Sequence, residues 1–158
     1  RTTISAGGRE IEAIPTPGHA PHHLAFFEKT SSLLFPGDAA GIYLDGQLIP
    51  TTPPPSFDLE GSLRAIEELK SLGPDWILYP HFGAAGGAGE LLQNYGSLLE
   101  GWVSGIRTKW HELDDTESLL EEIKREKEEI LGGGFGAPEL EMNVRGVLNY
   151  LRYTESQQ

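Results

Sequence analysis

Short apolar runs bounded by turn residues fill the first third of the chain, and apolar positions follow a helical period through its second half. Residues 2–5 and 10–14 are predicted to be short strands joined at Ala6-Gly7-Gly8-Arg9, where Gly-Gly supplies the positive φ of a hairpin turn. Pro15-Thr16-Pro17-Gly18 ends the second strand and opens a loop. Leu24-Ala25-Phe26-Phe27 and Ser32-Leu33-Leu34-Phe35 flank Glu28-Lys29-Thr30-Ser31 and read as a second hairpin, buried on at least one face. A weaker pair flanks the turn dipeptide Asp45-Gly46. Residues 50–56 read as a stiff loop, because the consecutive Pro53, Pro54 and Pro55 cannot join a sheet interior.

The helical period begins after Asp58, a candidate N-cap. Leu59, Leu63, Ile66, Leu69 and Leu72 form one apolar stripe, and Gly73-Pro74 stops it. Trp76-Ile77-Leu78-Tyr79 is a short buried strand ending at Pro80, and the Gly/Ala run 83–89 reads as a flexible loop. A second helix carries Leu91, Tyr95, Leu98, Leu99, Trp102, Ile106 and Trp110. A third runs from about Thr116 to Leu131, with Leu119, Leu120, Ile123 and Ile130 on one side, and Gly132-Gly133-Gly134 breaks it. Pro138 starts a last helix carrying Leu140, Val144, Val147, Leu148 and Leu151. Strands first, helices later and one strand between helices make an α/β arrangement. The division expected is residues 1–89, strands plus one helix, and 90–158, a helical continuation packing on the same domain.

Composition narrows the function. The chain has 158 residues and no cysteine, which excludes disulfides, thiolate metal sites and a thiol nucleophile. Lack of cysteine fits a reducing compartment, and a cytoplasmic location is expected. With 24 acidic against 12 basic residues the net charge is −12, a surface that repels phosphate backbones, so no nucleic-acid partner is expected. No apolar run is long enough to span a bilayer, and the residues after Arg1 carry no apolar leader. A start at Arg1 rather than Met suggests a fragment or a processed product.

The candidate chemistry lies in five histidines, His19, His22, His23, His81 and His111, and in Asp38. His19 follows Pro17-Gly18, Asp38 follows Phe35-Pro36-Gly37 and His81 follows Tyr79-Pro80, each at a strand end, where α/β proteins assemble sites from distant sequence. Neutral imidazoles and a carboxylate suit zinc, iron or manganese. Singly, each is equally a turn residue. His22 reads as solvated, and His111, near a helix end, as a partner of the last carbonyls.

In order, Thr16-Pro17-Gly18-His19-Ala20-Pro21-His22-His23, Phe35-Pro36-Gly37-Asp38-Ala39 and Tyr79-Pro80-His81-Phe82-Gly83 resemble the second half of the metallo-β-lactamase superfamily. The resemblance covers residues 1–83 through motifs. It implies the C-terminal part of an αββα sandwich with added C-terminal helices. It implies that His19 completes a first metal site, that Asp38 bridges two metals, that His81 is the last ligand of the second, and that His23 supports the loop. His22 stands where the family usually has Gly. The family's H-x-H-x-D-H segment, which supplies the remaining ligands, does not occur in these residues.

The resemblance therefore implies a metal-dependent hydrolase of an ester, thioester, lactone or related bond in a small-molecule substrate. A complete domain would hold two zinc ions, with iron or manganese as alternatives, and this chain would hold metal weakly or not at all and be impaired. Tyr43 and Pro53, Pro54 and Pro55 are expected to border the substrate. Two other readings stay open: a mononuclear iron dioxygenase of the same superfamily, and a non-catalytic half-domain. Self-association is expected, because an uncovered apolar sheet face needs a partner.

Overall fold

The computed structural model describes residues 1–81, 83–113, 115–131 and 137–157. These form two compact units, residues 1–51 with 58–100, and residues 52–57 with 101–158.

In the first unit, β1 (Thr2–Ala6), β2 (Arg9–Pro15), β3 (Leu24–Glu28) and β4 (Leu33–Phe35) form an antiparallel meander. Gly7 and Gly8 turn its first hairpin with φ of 57° and 78°. A short 3-10 turn over Gly37–Ala40 follows, then a separate hairpin of β5 (Ile42–Leu44) and β6 (Gln47–Ile49) around Asp45-Gly46. Helix α1 (Leu59–Ser71) carries the chain back to β7 (Trp76–Tyr79), which pairs parallel with β4. Such a pairing needs a crossover of this kind. β8 (Gly83–Gly86) closes the sheet, giving the order β1-β2-β3-β4-β7-β8.

β8 corrects the expectation of a loop over residues 83–89. Gly83, Ala84, Ala85 and Gly86 pair antiparallel with Tyr79, Leu78, Ile77 and Trp76. The ladder uses backbone groups alone, so a strand without apolar alternation can join a sheet edge.

Alternation along β2, β3, β4 and β7 buries Ile14, Ala25, Phe27, Leu34 and Ile77, together with Ala65, Ile66 and Leu69 of α1 and Leu92, Tyr95 and Leu99 of α2 (Ala88–Leu113). The buried stripe of α1 is thus Ser62, Ala65, Ile66 and Leu69, with Leu63 and Leu72 only half-buried. Asp58 occupies the N-cap position of α1, but its carboxylate makes no cap hydrogen bond; its backbone carbonyl accepts from Ser62 N and Oγ instead. Along α2 the buried line includes Leu92 and Val103, while Leu91, Leu98 and Trp110 are half-buried.

The second unit is helical. It comprises α2 from Gly101 onward, α3 (Thr116–Leu131), α4 (Ala137–Glu155) and the segment 52–57. Its core includes Val103, Ile106, Leu119, Leu120, Ile123, Leu140, Val144, Val147, Leu148 and Leu151. The side chain of Ile130 and the break at 132–134 lie outside the described residues. Thr52 is held by Asn143, whose Oδ1 accepts from Thr52 N and whose carbonyl accepts from the Thr52 hydroxyl at 2.8 Å. Trp102 Nε1 donates to the same hydroxyl oxygen at 3.1 Å. Lys109 ties α2 to α3 through Glu122 and Glu126, at 2.8 and 2.7 Å.

Candidate metal centre

Strand direction gathers the site. β2 runs antiparallel to β3, β3 antiparallel to β4, and β4 parallel to β7, so β2, β4 and β7 all end at one edge of the sheet. The loops that leave those ends carry His19, Asp38 and His81. β3 starts at the same edge, between β2 and β4, and His23 precedes it.

The first loop is closed by Thr16 N donating to the His23 carbonyl at 3.0 Å and His23 N donating to the Ala20 carbonyl at 3.1 Å. It lies on the start of α1, where Asp58 N donates to the Gly18 carbonyl at 2.8 Å. Gly18 has φ 129°, and a Cβ there would collide with Ser62 N and Oγ, so only glycine lets the loop approach. Asp38 lies in the first turn of the 3-10 segment, and its backbone carbonyl accepts from the Thr51 hydroxyl at 2.7 Å. With that proton committed, Thr51 Oγ1 accepts from the buried Tyr95 hydroxyl, 3.2 Å away.

The Asp38 carboxylate stands between two imidazoles, His19 Nε2 lying 3.7 Å from Oδ2 and His81 Nε2 lying 3.2 Å from Oδ1. Oδ1 is buried and, despite its closeness to His81, receives no hydrogen bond of acceptable geometry; His19 Nδ1 is likewise buried without a partner. Thr51's backbone favours the charged form of His19 without reaching that geometry. Burial pushes the His19 pKa below the usual imidazole value against the opposing pull of Asp38. His23 is lowered too, first by burial and then by His19. Both rings are therefore neutral near pH 7, the form that offers a lone pair. Among the described residues, no group of three or more His, Cys, Asp or Glu converges closely enough to hold a metal unaided. The three are linked pairwise through Asp38.

Tyr79 is a site-region residue that periodicity marks only as core. Its ring stacks on that of Tyr43, with centroids 5.3 Å apart and planes at 17°. Its buried hydroxyl has no partner, and burial raises its pKa. Among the described residues, the buried unpartnered side-chain atoms belong to His19, Asp38 and Tyr79. Thr51 and Tyr95 were equally silent in the sequence, whereas Thr16 stands inside the Thr-Pro-Gly-His run. His22 is exposed. His111 Nε2 lies 3.3 Å from Glu155 Oε1, a carboxylate rather than a helix-end carbonyl. Pro53, Pro54 and Pro55 belong to the segment 52–57 of the second unit.

The sequence model of the metallo-beta-lactamase superfamily matches residues 1–81, just over half of the chain. This chain belongs to that superfamily. A metallo-beta-lactamase fold-containing protein of Sulfurisphaera tokodaii is 38% identical over 77 residues, which are 49% of this chain and 28% of that protein. The crystal structure of an archaeal metallo-beta-lactamase superfamily protein from Sulfolobus tokodaii matches 61% of this chain and 36% of its own at 30% identity, with a TM-score of 0.55. A metallo-beta-lactamase family protein from Thermus thermophilus covers 98% of this chain and 48% of its own at 19% identity, with a TM-score of 0.70, and shows likeness of fold alone. The chain thus spans less than a third of the curated relative it matches. No helix among the described residues is long and apolar enough to cross a membrane.

Proposed function

We propose that these residues carry one share of a metal-dependent hydrolase centre, with His19, Asp38 and His81 as metal ligands. The supporting observation is the Asp38 carboxylate between two imidazole Nε2 atoms, at 3.7 and 3.2 Å, with Asp38 Oδ1 and His19 Nδ1 buried and unpartnered. Buried polar atoms without partners are costly unless something else satisfies them. Two imidazoles and a carboxylate are donors for zinc, iron or manganese. The family's H-x-H-x-D-H segment, which would supply the remaining ligands, does not occur in these residues.

Each residue then has a defined task. His19 offers its lone pair because burial keeps it neutral. The Asp38 carboxylate would be a ligand, its backbone anchored by the Thr51 hydroxyl. His81, half-exposed at the rim, closes the set. A bound divalent metal would supply an activated water and polarise the bond under attack. Tyr43, whose ring is only half-buried on Tyr79, borders a small-molecule substrate with an ester, thioester or lactone bond.

Zinc titration of the chain, followed at the His19 and His81 ring signals, tests the ligand assignment. The expected result is one weakly held ion per chain, since closed zinc sites use four protein ligands, with binding lost in Asp38→Ala. Zinc that moves neither ring, or two tightly held ions per chain by elemental analysis, would overturn it. Hydrolysis of a thioester and lactone panel should be absent from this chain. It should appear when a segment bearing H-x-H-x-D-H precedes it.

A further inference from the structure

The imidazole of His23 touches both ligand-bearing loops. Its Nδ1 lies 2.7 Å from Thr16 Oγ1, at the root of the loop that carries His19. Its Nε2 lies 3.2 Å from the backbone nitrogen of Asp38. An amide nitrogen can only donate, so Nε2 must be bare and accept. A neutral ring then carries its proton on Nδ1, which donates to Thr16 Oγ1. Rotating the ring by half a turn would put carbons at both contacts and lose them. Thr16 is fully buried, so no water competes for that oxygen.

Gly37 shows how closely the second loop is pressed onto this ring. Its φ is 55°, and a Cβ there would stand 2.6 Å from His23 Nε2 and 2.8 Å from Cε1. Strand order explains the position: β3 begins at the site edge between β2 and β4, so the residue before it falls between their two loops.

We infer that His23 is a positioning residue which, locked as the Nδ1–H tautomer, holds the Asp38 turn in register with the His19 loop. That Asp38 binds metal rests on the proposed function; the grip of the ring on Asp38 does not, and it is testable without metal. The distance between His19 and the Asp38 carboxylate is set by the two loops, so a single ring between them controls both.

Nitrogen NMR of the chain with labelled histidine reads the tautomer directly, and Nδ1–H is expected for His23. Hydrogen exchange at the Asp38 amide reads the grip. In His23→Leu that amide should exchange about tenfold faster, the loss of one buried hydrogen bond. His23→Gln keeps an acceptor on a side chain of similar reach and should restore most of the protection. Thr16→Val removes the oxygen that orients the ring and should also speed the exchange. In zinc titrations His23→Leu should bind about tenfold more weakly and His23→Gln near the parent. If His23→Leu does not fold, the tautomer of the unaltered chain and Thr16→Val still decide. An Nε2–H tautomer, or Asp38 exchange unchanged in a folded His23→Leu or Thr16→Val, overturns the inference.

Discussion

The two faces of the six-stranded sheet carry the same kind of side chain and meet different surroundings. On one, Ile14, Ala25, Leu34 and Ile77 are at 0% exposure and Phe27 at 7%. On the other, Ile4 and Leu24 are at 45%, Phe26 at 36%, Phe35 at 38% and Trp76 at 48%. Register makes the second group a continuous surface, since Phe26 pairs with Phe35 and Leu33 with Trp76. Alternation of apolar residues on both sides of a strand thus marks a sheet built to be covered twice. Within the first unit only one covering is accounted for by buried helix residues. An exposed apolar surface of this kind marks an interaction site.

The largest expected effect tests whether the open face finds a partner. We propose that the chain associates with a second copy through it. Fully burying such side chains is worth roughly 1.5–3 kcal/mol each, and about half that from their present exposure. Five such side chains on each of two copies sum to roughly 8–15 kcal/mol, against which the freedom lost on association counts. The net charge of −12 opposes the approach, so added salt should tighten it. Light scattering at micromolar concentration should give twice 17.3 kDa, and Phe26→Glu with Trp76→Glu should halve that mass. A clean monomer of 17.3 kDa for the parent chain would remove the proposal.

Next come substitutions that compare the faces within one molecule. Leu34→Ala and Ile77→Ala empty sites at 0% exposure, and each should cost about 2–5 kcal/mol in urea unfolding. Leu24→Ala and Trp76→Ala on the open face should cost under about 1 kcal/mol in a dilute monomer. Equal costs on the two faces would mean that the open face is covered in solution, and the concentration dependence of the midpoint would then show by what.

How much of this was legible in the sequence depends on which interactions decide each feature. The hairpins were legible because Gly7-Gly8 and Asp45-Gly46 impose turns and the flanking residues alternate. The grouping of His19, Asp38 and His81 was legible through motif order, and the parallel ends of β2, β4 and β7 supply its geometry. β8 was not legible, because Gly83–Gly86 has no side-chain pattern and is held by backbone pairing. The contacts of Thr51, Tyr79 and Tyr95 around the site were not legible because their partners are distant in sequence and chosen by tertiary packing. Leu92 and Val103 entered the buried line of α2 because tertiary contact, not periodicity alone, sets which flank of a helix is covered.

The smallest effect separates the strand-end edge from the open face by pH. At the edge, His19 and His23 have folded pKa values below the ordinary 6.5, chiefly through burial. Above 6.5 both are neutral whether folded or unfolded, and they add no pH dependence. As the pH falls below 6.5 the unfolded chain takes up protons that the folded chain refuses, so stability declines until the folded values are passed. On the open face, Glu28 is buried against its ordinary tendency. Its carboxylate accepts from Thr30 N at 2.9 Å and from Ser31 N and Arg9 at 3.0 Å. Burial alone would raise its pKa, yet these contacts hold it below 4.5. Its stabilisation is therefore present above 4.5 and is lost only as the pH drops through the lower folded value. The urea midpoint should fall first from pH 6.5 downward and again below 4.5. The double variant His19→Gln, His23→Gln should lose only the first step, and Glu28→Gln should weaken the second without touching the first, since Glu12, Glu122 and Glu141 are also held below 4.5 by their own partners. A midpoint flat between pH 8 and 5 in the parent chain, or an equal first step in the double variant, would show that the edge histidines are not held neutral by the fold.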